Sequence, residues 1–231
     1  MANDKKQKAP RFTTPKGVAS YCWIKQPDTK FKPDGEYSVN LTVPASEAAP
    51  LIQILEPIFE AAFQEQCEAF EQRMNDAKGP QKAKMKAKGE IKRGDFYAPE
   101  YDDDGEETGN LVFKFKMNAQ FKKKGTEEVI KMSPQIFDAK GNKVKTVPNI
   151  GAGSVIKVNF APDGYYTDAA HMAGITLRLN AVQILELVEF GGGGNAGSYG
   201  FGKEDGYESN AENEEGFKDE SEGSANGPED F

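Results

Sequence analysis

Short segments in which apolar and polar residues alternate are the clearest pattern in this sequence. Residues 36–44, EYSVNLTVP, carry apolar side chains at every second position, with polar side chains between them. This period of two is typical of an antiparallel strand with one face in the core. We expect Pro44 to end the strand, because proline cannot donate a backbone hydrogen bond to a neighbouring strand.

A second alternating segment, GVASYCWIKQP, begins at Gly17. Its pattern predicts another strand, which we expect to end at Pro27. Tyr21 and Trp23 lie on one face of this strand, and Cys22 and Ile24 lie on the other.

The apolar period changes to three and four residues after Pro44, which predicts a helix over about 46–78. Ser46 is a candidate N-cap, and we expect the helix to end near Gly79–Pro80. Pro57 should cause a kink or a break one residue earlier, because it lacks the N–H that bonds to the preceding turn. The apolar stripe should pack in the core and consists of Leu51, Ile54, Leu55, Ile58, Ala62, Phe63, Phe70 and Met74.

The most basic stretch of the chain, residues 78–93, follows directly and reads KGPQKAKMKAKGEIKR. One interpretation is a solvated loop. The other is a loop that contacts phosphate groups and becomes ordered on binding, with Lys84, Lys86 and Arg93 as candidate contacts. Both interpretations stay open at this point.

Apolar and polar residues alternate again in the second half of the domain. Residues 94–110 predict an exposed, acidic hairpin turn, and four strands that look antiparallel follow it. These strands lie in 111–124, 128–144, 151–162 and 174–190, and a loop with two adjacent tyrosines joins the last two. Short strands joined by turns indicate a mainly β barrel or sandwich over residues 1–190. A helix inserted after the second strand favours a five-stranded barrel of the OB (oligonucleotide- and oligosaccharide-binding) type.

Charge is distributed unevenly along the chain. The net charge is −8, yet residues 203–231 alone hold two lysines against eleven carboxylates, so the rest is near neutral. Such a segment has too few apolar residues to form a core, and we expect 191–231 to be a glycine-rich linker and a disordered tail. The tail ends in Glu229, Asp230 and Phe231. An acidic string with a hydrophobic tip suggests a partner-binding segment, or a competitor for a basic groove.

No enzyme site emerges from the sequence. His171, the single histidine, has no nucleophile beside it, and we expect it to be structural or exposed. The carboxylates of Asp102–Asp104 belong to one turn and lack the spacing of an EF-hand, so we predict no metal and no cofactor. Gly151 and Gly153 precede a strand, whereas a dinucleotide site needs a helix there.

Two further observations indicate the cellular compartment that we expect for this protein. No apolar run approaches the ~20 residues of a membrane span, and the first residues lack the apolar centre of a signal peptide. We therefore expect a cytosolic protein without membrane contact, in which Cys22 and Cys67 are reduced, buried thiols.

Cationic side chains alternate with core residues on several predicted strands. Lys114, Lys116, Lys157 and Arg178 all point away from the predicted core. Single-stranded nucleic acid needs cations along its backbone and aromatic faces for its bases. The alternative is an ordinary solvated strand face with the aromatic side chains in the core. The candidate aromatic side chains are Tyr21 or Trp23, Tyr97, Tyr101, Tyr165 and Tyr166.

Four segments occur in an order and at a spacing that resemble one family. They are TGNLVFKFK at 108–116, FDAKGNKV at 137–144, VPNIGAGSVIKVNF at 147–160 and LELVEFGGGG at 185–194. With the inserted helix and the acidic tail ending in phenylalanine, they are similar to the single-stranded DNA-binding proteins of T-seven-like podoviruses. The similarity extends over nearly the whole chain.

The resemblance implies an OB fold without catalysis and roles in phage DNA replication, recombination, repair and strand annealing. It places Lys114, Lys116 and Lys157 on DNA-facing strands, Tyr165 at a base-stacking position and Phe231 at the terminal aromatic. It also implies a homodimer in the cytoplasm of an infected bacterium, whose tail binds the phage DNA polymerase and the helicase–primase.

One position departs from the family pattern, because Asn159 stands where the family strand has a second outward lysine. The basic segment 78–93 is a candidate to compensate for it. Two other classes of function stay open. One is an acidic-tailed adaptor or histone-like chaperone, and the other is a nuclease with a metal at Asp102 and Asp104.

Overall fold

The computed structural model describes residues 10–123 and 125–189, and this part of the chain forms strands and two helices. The strands are β1 (Phe12–Thr13), β2 (Gly17–Asp28), β3 (Glu36–Pro44), β4 (Lys92–Arg93), β5 (Ala98–Tyr101), β6 (Glu107–Asn118), β7 (Gln120–Lys122), β8 (Val129–Lys131), β9 (Gln135–Phe137), β10 (Val155–Thr167) and β11 (Met172–Glu186). The helices are α1 (Ala45–Asp76) and α2 (Gly79–Lys86), and both lie between β3 and β4. The fold is therefore mainly β with one long helix.

Five of the strands pair in a ring. β2 pairs with β3, β3 with β6, β6 with β11, β11 with β10, and β10 again with β2. Four of these pairings are antiparallel, but β11 runs parallel to β6, so the prediction of uniformly antiparallel strands is wrong. The reason is topological. Directions cannot alternate all the way round a ring with an odd number of strands, so at least one pair must be parallel.

The core lies inside this ring and under α1. The alternation predicted for β3 is confirmed, since Tyr37, Val39, Leu41 and Val43 are buried. The same pattern buries Phe113 and Phe115 of β6, Ile156, Val158 and Phe160 of β10, and Leu177 and Leu179 of β11. The rings of Phe115 and Phe160 are in tilted contact at a centroid distance of 5.1 Å. Side chains of this size each contribute about 1.5–3 kcal/mol through burial.

β2 does not end at Pro27 as predicted but continues to Asp28. Its pairing with β3 is irregular between Trp23 and Asp28, so the missing N–H of the proline does not interrupt a regular ladder. The predicted faces are confirmed, with Ile24 buried and Tyr21 and Trp23 exposed.

Helix α1 begins at Ala45, directly after the last residue of β3, so Ser46 is not its N-cap. The N-cap position is Pro44, and no side chain caps the helix there. Of the kink or break predicted near Glu56, the break is wrong, because the helix is continuous to Asp76. Pro57 has no N–H to donate to the carbonyl of Gln53, one turn earlier in the helix. Both residues are exposed, so water can bond to that carbonyl instead.

The predicted apolar stripe of α1 is only partly correct. Leu51, Leu55 and Phe70 are buried, and so is Phe59, which was not in the predicted set. Ile54 is 50 % exposed. The buried positions follow the three-and-four spacing that faces β10 and β11, and Ile54 lies outside this narrow stripe.

The basic segment 78–93 is not a loop throughout, because α2 occupies its first half. Pro80 lies in the first turn of α2, where the N–H that proline lacks would have no partner. α2 buries none of its side chains, so Lys84 and Lys86 are solvated on its surface. Neither α1 nor α2 is long and apolar enough to cross a membrane.

His171 is a buried structural residue, as predicted. Its Nε2 lies 3.1 Å from the Gly89 carbonyl oxygen, and its Nδ1 lies 2.8 Å from the Tyr166 hydroxyl. A carbonyl only accepts, so Nε2 carries the proton and Nδ1 accepts from the tyrosine. The predicted loop before His171 is mostly strand, because β10 extends through both tyrosines to Thr167.

The two cysteines are free thiols, as predicted, but each is half-buried rather than fully buried. The Cys22 Sγ lies 4.0 Å from the carbonyl oxygen of Gly151. Burial raises the pKa of the Cys22 thiol to about 11. The pKa of Cys67, on α1, is also raised, chiefly by burial and then by the nearby Glu71 carboxylate.

The linker and tail predicted over 191–231 lie outside the residues that the structure describes. So do the proposed contact residues Glu229, Asp230 and Phe231. The predictions about this segment therefore stay predictions.

Candidate nucleic-acid interface

A groove of about 720 Å³ runs across the outer face of β3, β6 and β11. We call it the central groove. Its floor consists of the outward side chains of these strands, and its wall consists of the segment before β5 together with Tyr165 of β10. The lining side chains include Lys32, Glu36, Asn40, Asp95, Phe96, Tyr97, Lys114, Lys116, Asn118, Tyr165, Thr176 and Arg178.

Strand register places four outward side chains in one row across the sheet. Trp23 of β2 pairs with Ser38 of β3, Ser38 pairs with Lys116 of β6, and Lys116 pairs with Arg178 of β11. Lys114 is outward on β6 as well, opposite Asn40. The row therefore runs from an aromatic side chain to two cations, perpendicular to the strands.

The cations of the groove are partly engaged with carboxylates. Lys116 Nζ lies 3.8 Å from a Glu36 carboxylate oxygen, and Lys32 Nζ lies 3.3 Å from the other. Arg178 Nε donates to Asp163 at 2.6 Å. The cations and Asp163 are about 40–50 % exposed and Glu36 is 27 % exposed, so water screens the pairs and another anion can replace the carboxylates.

Gly94 makes room for Tyr165. A methyl group at Gly94 would overlap the Tyr165 hydroxyl, whereas a methyl group at Gly174 would make an ordinary van der Waals contact of 3.4 Å with the tyrosine ring. The ring is half-buried against this backbone, and its remaining surface faces the groove. Burial, and then the nearby Asp95 carboxylate, raise the pKa of Tyr165, so the phenol is neutral at physiological pH. A neutral aromatic ring that lines a basic groove suits base stacking.

The segment before β5 adds two further aromatic side chains to this wall of the groove. Phe96 and Tyr97 meet edge to face with their centroids 5.0 Å apart, and Tyr97 contacts the buried Phe113 at 5.8 Å. Tyr97, a candidate for base stacking from the sequence, lines the groove and also packs against the core below it.

A second depression of about 510 Å³ continues the central groove towards β2. We call it the aromatic lobe. It shares Lys32, Glu36, Asn40 and Lys114 with the central groove. Its other lining includes three exposed aromatic side chains: Tyr21 (76 % exposed), Trp23 (43 %) and Phe31 (85 %).

Tyr21 has an unusual backbone. Its φ is 50°, in the left-handed region that costs a non-glycine residue about 1–3 kcal/mol. The residue lies within an irregularity of the β2–β3 pairing between Ser20 and Trp23. Such a bulge redirects a side chain, and here it leaves the Tyr21 ring in solvent beside Trp23.

The sequence profile of the family described as the single-stranded DNA-binding protein of bacteriophage T7 matches residues 16–187. The chain belongs to this family. The match contains every residue of the central groove and the aromatic lobe. The resemblance stated from sequence is therefore confirmed.

Two curated relatives are similar over most of their length. The single-stranded DNA-binding protein of Escherichia phage T7 is 32 % identical over 191 residues, which cover 79 % of this chain and 78 % of the relative. The protein of the same name from Enterobacteria phage T3 is 31 % identical over 192 residues, with the same coverage. The crystal structure of gp2.5, a single-stranded DNA-binding protein encoded by bacteriophage T7, aligns with a TM-score of 0.63 at 29 % identity. That alignment covers 87 % of this chain and all of the T7 chain.

Lys157 is not in the groove of this T7-family chain. It lines a separate depression of about 380 Å³ with Thr13, Phe137 and Asn159. The sequence correctly placed Lys157 on the outer side of its strand. β10, however, occupies a different sector of the ring from β6, so the two outer faces point in different directions.

Asn159 has a structural role at the position where the resemblance expects a lysine. Its Nδ2 donates to the carbonyl oxygen of Phe12 and to Thr13 Oγ1, both at 3.1 Å. The side chain thus fastens β1 to β10.

Five further predicted contacts lie away from the groove lining. Tyr166 packs against Phe70 and the guanidinium of Arg73 on the side of α1. Arg93 forms an ion pair with Glu60 and lies over the rings of Phe59 and Phe63. Tyr101 is exposed on the β5–β6 hairpin. Lys84 and Lys86 on α2 line other depressions.

Two groove residues were missed from the sequence. Phe31 and Lys32 lie in the turn between β2 and β3, where neither a period of two nor a helical period exists. The available signal was the string Lys30, Phe31, Lys32, because an aromatic residue between lysines in a turn is poorly suited to a core.

The acidic turn is the predicted hairpin between β5 and β6. Asp102 Oδ1 accepts from the backbone N–H groups of Asp104 and Glu106, so its carboxylate stabilises the turn itself. Within residues 10–123 and 125–189, no cluster of three or more histidine, cysteine or carboxylate side chains has the geometry of a metal site.

Proposed function

We propose that this chain binds single-stranded DNA without sequence preference, along the central groove and the aromatic lobe. The observation that carries the proposal is that Lys116 and Arg178 lie in one row with Trp23 across the strands, in a groove that Tyr165 also lines. Membership of the family supports it, since both curated relatives are named for this activity.

The groove suits this ligand chemically. Lys32, Lys114, Lys116 and Arg178 supply cations for consecutive phosphates, and their long side chains need no fixed base sequence. Tyr165, Tyr97, Trp23, Tyr21 and Phe31 offer ring faces to unpaired bases. Duplex DNA cannot use these rings because its bases are already stacked. The chain acts as a binding protein without catalysis or cofactor.

We also propose that the ring of β2, β3, β6, β11 and β10 is an OB-type barrel with α1 and α2 as an insertion. The closed sequence of pairings and the parallel contact between β6 and β11 support this assignment. The groove then crosses the second and third strands, which is where OB folds bind oligonucleotides.

Fluorescence of Trp23 tests the proposed function directly. Trp23 is the only tryptophan of the chain, and it is partly exposed in the aromatic lobe. Titration with an oligo-dT strand is expected to quench its emission, and the affinity should fall steeply as salt increases. The matching duplex should compete weakly. No quenching, or binding that does not depend on salt, would overturn the proposal.

The biological setting remains a proposal drawn from the resemblance. The chain would protect single-stranded DNA and promote annealing during phage DNA replication, recombination and repair, in the cytoplasm of the infected bacterium. It would act as a homodimer. Its tail, ending in Glu229, Asp230 and Phe231, would recruit the phage DNA polymerase and the helicase–primase.

The tail is further proposed to compete with DNA for the groove. A glycine-rich coil of about forty residues would span roughly 35 Å, which would be enough to return to its own domain. Its carboxylates would replace phosphates and Phe231 would replace a base. Deleting residues 203–231 is therefore expected to raise the affinity for oligo-dT at low salt and to abolish polymerase binding.

A tail of equal length with asparagine and glutamine in place of its carboxylates is the matched control. It should reproduce the gain in DNA affinity, because only charge is removed. An unchanged affinity at low salt in both variants would exclude self-competition. If the truncated chain has no affinity for DNA at all, the adaptor interpretation is favoured instead.

A further inference from the structure

Glu36 is a carboxylate on the floor of a groove that otherwise offers cations. It begins β3 and lines both the central groove and the aromatic lobe. One carboxylate oxygen lies 3.3 Å from Lys32 Nζ and the other lies 3.8 Å from Lys116 Nζ. The carboxylate therefore bridges two lysines that belong to different elements, the β2–β3 turn and β6.

The rest of this cluster keeps Lys32 in the groove. Lys32 Nζ also donates to Asn118 Oδ1 at 2.6 Å, and Asn118 pairs with Glu36 across β3 and β6. Loss of the Glu36 charge would thus leave Lys32 with one partner in the groove. Lys116 would keep its place on the strand, because its backbone is paired on both sides.

We infer that Glu36 is an internal competitor of the DNA backbone. It occupies the position where a phosphate bridges Lys32 and Lys116, and it lowers the affinity of the groove for any polyanion. This inference rests on the proposed function. A carboxylate between two ammonium groups has the charge and the acceptor oxygens of a phosphate diester, so the bound strand must displace it or share its lysines with it.

Arg178, another cation of the row, also has a carboxylate partner. Arg178 Nε donates to Asp163 at 2.6 Å, and both side chains are about half exposed. Two of the groove's phosphate-binding positions are thus matched by carboxylates of the domain itself. The competition at Glu36 is built into the strand face and does not depend on the tail.

Removing the charge of Glu36 should change both the affinity for DNA and its dependence on salt. Replacing Glu36 by glutamine keeps the size of the side chain and adds one net positive charge to the groove. The affinity for oligo-dT is expected to rise roughly threefold to tenfold at low salt. The plot of log K against log salt should become steeper by about 0.7, which is the increment for one more neutralised phosphate of a single strand.

The matched control is Glu128→Gln. Glu128 also forms an exposed ion pair, at 3.3 Å from Lys123, but it lies on the β7–β8 hairpin outside the lining of the central groove and the aromatic lobe. This variant changes the net charge of the protein by the same amount. Its affinity for oligo-dT should stay within about twofold of the wild-type value. The slope of log K against log salt should stay within about 0.2 of the wild-type slope.

A second comparison isolates the two lysines. In a Lys32→Gln/Lys116→Gln background, the further change Glu36→Gln should raise the affinity clearly less than in the wild type, because neither bridged lysine is left to release and only the general repulsion between the carboxylate and the phosphates is removed. Equal gains for Glu36→Gln in both backgrounds, or for Glu36→Gln and Glu128→Gln, would overturn the inference, since either result indicates a general charge effect.

If the wild-type chain itself fails to bind oligo-dT, the proposed function fails. If it binds but Glu36→Gln leaves affinity and slope unchanged, only the inference fails.

Discussion

Replacing Lys114 and Lys116 together by glutamine is expected to weaken binding of oligo-dT roughly 10–100-fold at low salt. Both side chains point outward from β6 into the central groove, while Phe113 and Phe115, which alternate with them along the strand, are buried in the core. Two phosphate contacts are lost, so the slope of log K against log salt should become shallower by about 1.4. Binding of a labelled oligo-dT at several salt concentrations measures both values.

A double variant with the same loss of charge serves as the control. Lys145→Gln/Lys157→Gln removes two lysines that do not line the central groove, and Lys157 lies in the depression beside Thr13 and Asn159. The structure therefore predicts nearly unchanged affinity for it, although the resemblance placed Lys157 against DNA. An equal loss in both double variants would mean that total charge, and not the groove, determines binding.

Tyr165→Ala is expected to weaken binding about 5–150-fold, the equivalent of about 1–3 kcal/mol for one stacked base. The salt slope should not change, because the variant removes no cation. Tyr165→Phe should bind nearly as well as the wild type, since the ring remains over Gly94 and Gly174. Competition titrations with oligo-dT at one salt concentration, repeated at a second, distinguish loss of stacking from loss of charge.

Tyr166→Ala is the adjacent control. Its ring packs against Phe70, and its hydroxyl bonds to the buried His171, so this variant should lower the free energy of unfolding. The folded fraction should nevertheless bind with wild-type affinity, because Tyr166 does not line the groove. Comparable losses of affinity for both alanine variants would contradict the assignment of Tyr165 as the stacking residue.

The contrast between Lys116 and Lys157 shows what alternation can and cannot predict. A period of two separates the inner face of a strand from its outer face, and both lysines were correctly placed outside. The outer surface of a closed ring points in every direction, however, so the period does not tell which lysines share a groove. That information resides in strand register, such as the pairing of Lys116 with Arg178.

Turns and helix ends were predicted less well for a related reason. Phe31 and Lys32 have no periodic neighbours, so no pattern assigned them to a surface. Pro57 reads locally as a helix breaker, yet the packing of α1 on β10 and β11 stabilises a continuous helix. In each case the structure depends on contacts between residues that are distant in sequence. The local spacing of apolar and polar residues does not reveal these contacts.

The state of the two cysteines has a practical consequence for fluorescent labelling. Alkylation by maleimide requires a thiolate, and the pKa of about 11 for Cys22 leaves almost none at neutral pH. The raised pKa of Cys67 slows its alkylation as well. A cysteine introduced at Lys82, exposed on α2 among other lysines and outside the groove lining, would react first, because neighbouring cations stabilise its thiolate. A dye attached there could follow single protein molecules along DNA while both native thiols remain in place.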